Sequence, residues 1–356
     1  MNVAVLGYGT VGSGVVEILK NETNVQVLYV FNRFNPIKKA ELGNLYTDNI
    51  DDVLNDSKVD VVIETMGGMA AYEIIKRALL SKKHVITANK EVVAIHLQEL
   101  INLAKNSQVM FLFEASVGGG IPIVCNLSAL ALSDEIVHIM GILNGTTNYI
   151  LTRVSEGVNL KEALKEAQSY GYAEADSTAD LEGLDMVRKI MILAMLATNS
   201  EIAVDDVYHY GIQNITLDFV NLMAKSGKVV KFIAEAIITE EIINLVIEPI
   251  VIDRKHLLSN INYAFNGVLV ESKNHGQLFY SGQGAGKFPT AGAIVDDLYK
   301  IIKNQNYLSY SGDNKYVNQL VDDINDYYVY DGNSVLLKKN ISRNDAKKYQ
   351  FYARII

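Results

Sequence analysis

Gly7-Tyr8-Gly9-Thr10-Val11-Gly12 decides the fold. This turn follows the apolar, β-branched run 3–6 and opens a stretch of helical periodicity at 11–20. In a strand–turn–helix setting the first glycine permits the tight turn, the second lets the main chain approach a pyrophosphate, and the third lets helix and strand pack closely. The helix N-terminus then offers unpaired N–H donors and the positive end of its dipole to a phosphate. A turn that serves packing alone is the alternative.

Outward from the turn, the runs 25–31, 59–65, 84–87 and 109–114 read as further strands, with helices at 72–80 and 97–105 between them. Such a βαβ series builds a parallel sheet with helices on both faces and its ligand at the carboxyl ends of the strands. Glycine and polar residues crowd those ends: Gly7, Asn32-Arg33, Thr65-Met66-Gly67-Gly68, Ala88-Asn89-Lys90 and the loop 116–120. Past residue 125 the pattern changes. Helices at 160–169 and 181–198 give way to strand-like runs at 229–239, 242–252, 266–270 and 277–280 with no helix between them, which predicts an antiparallel sheet.

The expected architecture is α/β: an N-terminal Rossmann-type parallel sheet over 1–125 as a dinucleotide-binding domain, and a second, α+β domain over 126–283 carrying a mainly antiparallel sheet, for substrate binding and dimerisation. A segment 284–310, with a helix at 291–302, returns to the first domain, and 311–356 forms a C-terminal tail. The tail ends in an apolar strand, 349–356, for which the sequence offers no partner.

A chain of 356 residues suits two domains, and 49% hydrophobic with 21% charged residues suits an ordinary globular protein. The net charge of −9, with Lys and Arg dispersed, provides no footprint for nucleic acid or an anionic membrane surface. The longest apolar run, 190–197, falls well short of the roughly 20 residues that span a bilayer. Cys125 is the single cysteine and the N-terminus lacks the basic flank and cleavage site of a signal peptide, so a reducing cytoplasm is expected.

Four further stretches carry chemistry. Asn32-Arg33 ends the second strand, where NAD-specific sites place an acidic residue for the ribose; an arginine there can pair with a 2′-phosphate, so NADP is expected, with NAD possible. Lys90 closes another strand at the same sheet edge, beside the nicotinamide position, unless it is simply a solvated strand-end lysine. Glu114-Ala115-Ser116-Val117-Gly118-Gly119-Gly120-Ile121-Pro122 exposes carbonyls that, with a carboxylate, could hold a hard cation; a hinge is the alternative. In the stretch 171–189, a helix starting near Asp180 would put Glu182, Asp185 and Lys189 on one face. There Lys189, at the edge of the apolar run 190–197, is either a general acid/base tuned by lost hydration and oriented by Asp185, or half of an exposed ion pair.

Taken together, GYGTVG at 7–12, TANKE at 87–91, EASVGGGIP at 114–122, GILNGTTNYIL at 141–151, the acidic stretch 171–189 and GQGAGKFPTAGAIVDDL at 282–298 resemble homoserine dehydrogenase, over residues 1 to about 298. The resemblance implies reversible, NAD(P)H-dependent reduction of L-aspartate 4-semialdehyde to L-homoserine, on the route to threonine, methionine and isoleucine. It implies that Lys189 is the acid/base lysine and Lys90 a second active-site lysine, that Glu174 and Asp185 bind the substrate ammonium, and that Asp180 supports them. Tyr8, Thr10, Val11, Arg33, Thr65, Lys90, Gly171 and Gly286 fall at cofactor-contacting positions beside Gly7, Gly9 and Gly12. Glu114 with the main chain at Val117, Gly119 and Ile121 matches a sodium site, and a homodimer is implied.

Ser177 departs from the family's usual proline, which bears on the stiffness of its loop. Many members continue into an ACT domain; residues 349–356 are similar to its opening strand, and no ACT-mediated feedback is expected from this chain. Two rivals remain: a semialdehyde dehydrogenase working through a thiol, for which Cys125 is poorly placed, and a dinucleotide-binding protein without catalysis.

Overall fold

The computed structural model describes every residue except Asn314, which falls in the expected tail and lies outside the described residues. The chain folds into two compact units, residues 1–133 with 285–312, and 134–284 with 313–356.

Among the described residues, unit 1 holds six parallel strands: β1 (Asn2–Leu6), β2 (Gln26–Phe31), β3 (Tyr46–Thr47), β4 (Val61–Glu64), β5 (His84–Thr87) and β6 (Phe111–Leu112), in the order β3-β2-β1-β4-β5-β6. Val3, Ala4, Val5 and Leu6 are fully buried, as befits a central strand covered on both faces. The chain leaves β1 toward one edge and returns to pair β4 on its other side, so the glycine turn after Leu6 sits at the point where the strand order reverses.

Short elements escape periodicity. Helix Pro36–Leu42 and helix Ile50–Leu54 begin at Asn35 and Asn49, whose side chains accept from the first helical N–H groups. The helix expected at 97–105 spans Lys90–Ser107; its dihedrals break at His96, whose ring stacks on Tyr72 with centroids 3.9 Å apart. The strand expected at 109–114 pairs only over Phe111–Leu112: before it Met110 N–H donates to His84 Nδ1 at 3.0 Å, and after it Glu114 N–H donates to Asp297 Oδ2 at 2.9 Å. The return helix runs from Lys287 to Ile302.

Unit 2 has, among the described residues, a ten-stranded sheet built from β7 (Ile136–Ile142), β8 (Tyr208–His209), β9 (Lys228–Ile238), β10 (Ile242–Asp253), β11 (Phe265–Ser272), β12 (Gly276–Gln283), β13 (Val317–Asn318), β14 (Ile324–Tyr330), β15 (Val335–Ser342) and β16 (Phe351–Ile355). The main path is β12-β11-β7-β9-β10-β16-β14-β15, mostly antiparallel. The long edge of β10 is covered by three short parallel partners in succession: β13 at Ile242, β8 at Val246 and β16 at Ile250. Thus the final strand, partnerless in sequence, runs between β10 and β14. Among the described residues no helix is long and apolar enough to cross a membrane.

Buried charge joins β16 to the sheet. Glu235 on β9 and Glu248 on β10 are 3% and 0% exposed. Arg354 of β16 bonds both, Glu248 Oε1 at 2.6 Å, while Arg343 Nε reaches Glu248 Oε2 at 3.2 Å and His138 Nε2 lies 2.7 Å from Glu235 Oε1. Removing one member of such a cluster strands charge in a dry interior. Arg354→Met is therefore expected to destabilise unit 2 by about 3–5 kcal/mol, read as a lower urea midpoint; an unchanged midpoint would show that the last strand contributes no anchoring.

Candidate functional sites

The glycine turn in unit 1 is fixed by close backbone approach. Gly7 has φ +100°, and a Cβ there would lie 2.9 Å from the Thr65 main chain; at Gly12 it would lie 1.9 Å from Gly7 O. No side chain fits at either position. Thr65 Oγ1 donates to Leu6 O and Gly7 O, both at 3.0 Å, tying the ends of β1 and β4. Gly9 differs: a Cβ there would meet nothing within 4 Å, and helix Thr10–Leu19 starts at Gly9 without a side-chain cap. The open side of the turn and an uncapped helix N-terminus form a cradle for an anion.

Gly7, Gly9, Asn32, Arg33, Lys38 and Thr65 line one cleft of about 500 Å³. Sequence reading placed Arg33 there and missed Lys38, whose ammonium donates to Tyr8 O at 2.6 Å and Asn32 Oδ1 at 3.2 Å. The signal for Lys38 was the Asn35-Pro36 helix start that carries it. Tyr8 donates to Glu41 Oε1 at 2.7 Å; burial and that carboxylate push its hydroxyl up to about 12. Thr10 and Val11 form the first helical residues, and Gly286, at φ +128°, starts helix Lys287–Ile302. A dinucleotide fits these residues: Gly9 with its side open to an approaching group, an uncapped helix N-terminus, and the two cations Arg33 and Lys38.

At the ends of β4 and β5 another buried group was missed. The Glu64 carboxylate accepts from Met66 N–H at 2.7 Å, Gly67 N–H at 2.9 Å and the Thr87 hydroxyl. Burial raises its pKa, and these donors oppose the rise. Asn89 Nδ2 donates to Gly68 O at 2.9 Å while Asn89 Oδ1 caps the helix that begins at Lys90. Glu64 thus holds together the two loops that end in Gly68 and Lys90.

Glu114 is 2% exposed. Its Oε1 accepts from Val124 N–H at 2.8 Å and its Oε2 from Cys125 N–H at 2.9 Å, with Lys300 Nζ 3.7 Å from Oε2. Ile121 O accepts from Ile123 N–H at 2.8 Å, whereas Val117 O and Gly119 O accept no hydrogen bond among the described residues. Of the four sodium ligands implied by resemblance, Val117 O and Gly119 O carry no hydrogen bond among the described residues, Ile121 O and each Glu114 oxygen carry one, and the Lys300 ammonium already lies beside Glu114 Oε2, which does not suit a second cation there. Among the described residues no group of three or more His, Cys, Asp and Glu side chains could hold a metal ion. Burial, then the Glu114 carboxylate, pushes the Cys125 thiol up to about 11.

In unit 2 the expected helix from Asp180 does not form as one piece. Gly183, at φ +88°, separates helix Thr178–Leu181 from helix Leu184–Thr198, so Glu182 does not share a helical face with Asp185 and Lys189. A Cβ at Gly183 would lie 2.9 Å from the Phe232 ring, so the break brings the backbone onto β9. Asp185 and Lys189 remain one turn apart, and their pair is buried: Lys189 Nζ donates to Asp185 Oδ2 at 2.8 Å and to Leu143 O at 2.6 Å, with 9% and 7% exposure for lysine and aspartate.

Asn144, absent from the sequence-derived set, joins this group. Its Nδ2 donates to Asp180 Oδ1 at 2.8 Å and Asp185 Oδ2 at 3.0 Å, and its Oδ1 caps helix Gly145–Ser155 at Thr147 N–H, 2.8 Å. Asn-Gly-Thr-Thr at 144–147 was its visible signal, a helix cap. Glu174 stands exposed in the loop that starts at Gly171, φ +75°. That loop is stiffened without proline: Ser177 Oγ donates to Glu174 O at 2.7 Å, and Asp176 Oδ1 accepts from Thr178 N–H at 3.0 Å.

Both halves match one family. A profile described as homoserine dehydrogenase covers residues 122–299, and one described as homoserine dehydrogenase, NAD binding domain, covers 7–114. The homoserine dehydrogenase of Bacillus subtilis is 39% identical over 318 residues, 85% of this chain and 73% of that protein. The crystal structure of a homoserine dehydrogenase from Thiobacillus denitrificans matches with a TM-score of 0.90 at 29% identity, over 100% of this chain and 98% of the other. That of S. aureus homoserine dehydrogenase matches at 0.79 and 28%, over 100% and 98%. The chain belongs to the homoserine dehydrogenase family of oxidoreductases and carries its NAD-binding domain.

Proposed function

We propose that this chain catalyses the reversible reduction of L-aspartate 4-semialdehyde to L-homoserine, with unit 1 binding the dinucleotide and unit 2 the substrate. The observation that carries the reading is Lys189, an ammonium buried against Asp185 and Leu143 O. A lysine held this way is oriented for proton transfer. The nicotinamide cofactor, when bound, supplies the hydride.

The protein's residues do the rest. Lys189 Nζ donates a proton to the oxygen that becomes the homoserine hydroxyl and takes it back in the reverse direction, and Lys90 adds positive charge where the alkoxide develops. Asp185 and Glu174 receive the substrate ammonium, with Asp180 holding Asp185 in place through Asn144. Gly7, Tyr8, Gly9, Thr10, Val11 and Gly12 receive the pyrophosphate, Thr65, Gly171 and Gly286 complete the cofactor contacts, and Arg33 pairs with a 2′-phosphate, so NADP is preferred and NAD accepted. No step uses sodium. The reading includes a cytoplasmic homodimer serving threonine, methionine and isoleucine synthesis.

Three variants test it. Lys189→Ala is expected to lose at least about 100-fold in kcat, the usual scale of one acid/base group, with the Kd for NADP unchanged by fluorescence titration; lost cofactor binding would contradict the assignment. Arg33→Ala should raise KM for NADP while leaving KM for NAD in place, and equal effects on both would remove the 2′-phosphate role. Cys125→Ser should keep turnover, since a thiol held up near 11 is a poor nucleophile; abolished turnover would favour thiol catalysis.

A further inference from the structure

Lys300 lies in helix Lys287–Ile302 of unit 1 and is unused by the reaction proposed above. Its ammonium is 3.2 Å from Asp297 Oδ1 and 3.7 Å from Glu114 Oε2, and it sits over the Tyr307 ring, 4.3 Å from the centroid. Asp297 is fully buried and Glu114 nearly so. Asp297 Oδ2 accepts from Glu114 N–H at 2.9 Å and from the Tyr307 hydroxyl at 3.4 Å. Both Glu114 oxygens also face the N-terminus of helix Ile123–Ala131 through Val124 and Cys125. Three pieces of chain therefore meet at one buried charge cluster: the turn after β6, the start of helix Ile123–Ala131 and the helix that carries Asp297 and Lys300.

Two carboxyl groups in so dry a place stay ionised only beside positive charge. A bound cation could supply it, but in the loop 117–121 the Gly118 and Ile121 carbonyls already accept main-chain N–H groups, and among the described residues no carboxylate besides Glu114 and Asp297 faces the place. A cation seated on Glu114 Oε2 would also face the Lys300 ammonium at close range. The ammonium supplies what the ion would: a single positive charge, shared between both carboxylates and backed by the electron-rich face of a tyrosine.

We infer that Lys300 is a built-in cation that replaces sodium at the Glu114 loop, pinning that loop to helix Lys287–Ile302, so that this protein neither needs nor specifically binds sodium there. The inference is independent of the reaction, because its tests measure no turnover.

The test exchanges the purified full chain into sodium, potassium or choline chloride at one ionic strength and follows the thermal midpoint, with ²³Na relaxation measured in parallel. The wild type is expected to melt at the same temperature in all three salts and to give no saturable ²³Na relaxation enhancement. A saturable, sodium-specific rise in midpoint overturns the inference. Lys300→Met should lower the midpoint by roughly 5–10 °C, from an uncompensated buried carboxylate, while Lys300→Arg should largely keep it. A Lys300→Met protein that melts like the wild type in choline chloride also overturns it. The wild-type salt series decides the matter even if Lys300→Met does not fold.

Discussion

An ammonium in an apolar interior needs oriented acceptors on every side it shows, and Lys189 has them in Asp185 and Leu143 O. That requirement organises much of unit 2 around it. Leu143 follows β7 directly, Asn144 next to it caps helix Gly145–Ser155, and the same Asn144 amide ties Asp180 and Asp185 together. The helix carrying the lysine reaches the sheet only because Gly183 has no side chain against Phe232. Strand, cap, break and ion pair form one constraint.

Unit 1 solves a similar problem with carboxylates. Glu64 satisfies the backbone of the loop after β4 and the hydroxyl at the end of β5, and Glu114 with Asp297 and Lys300 fixes the turn after β6. The carboxyl ends of successive strands are thus tied by buried, hydrogen-bonded charge, which takes up the main-chain donors of Met66, Gly67, Val124 and Cys125 and fixes the segments that carry them. The glycine turn needs no such device. Its shape follows from the approach of Gly12 to Gly7 O, which admits no Cβ.

What could be read from the sequence divides along locality. The dinucleotide turn, the parallel sheet and the antiparallel strands of the second half are legible because spacing and periodicity are local. Helix Pro36–Leu42 and β3 are too short for a period to show, and β16 could not be placed because its partners, β10 and β14, are set by long-range pairing. In the site, Asp185 and Lys189 were legible as a one-turn pair, and its burial was not. Helical spacing alone puts Glu182 on their face, but Gly183, with a φ of +88°, breaks the helix between them. Asn144, Glu64 and Lys38 went unseen since each acts by holding another group, and sequence shows only that they sit near helix starts or strand ends.

The central claim is that the buried lysine–carboxylate group and the glycine turn serve one reaction on one small hydroxy amino acid. It is tested most directly by absorbance at 340 nm with the purified chain, L-homoserine and either NAD or NADP. The account predicts reduced cofactor that grows with homoserine concentration, faster with NADP than with NAD. No reduced cofactor with either dinucleotide, from protein that binds it, would contradict the account.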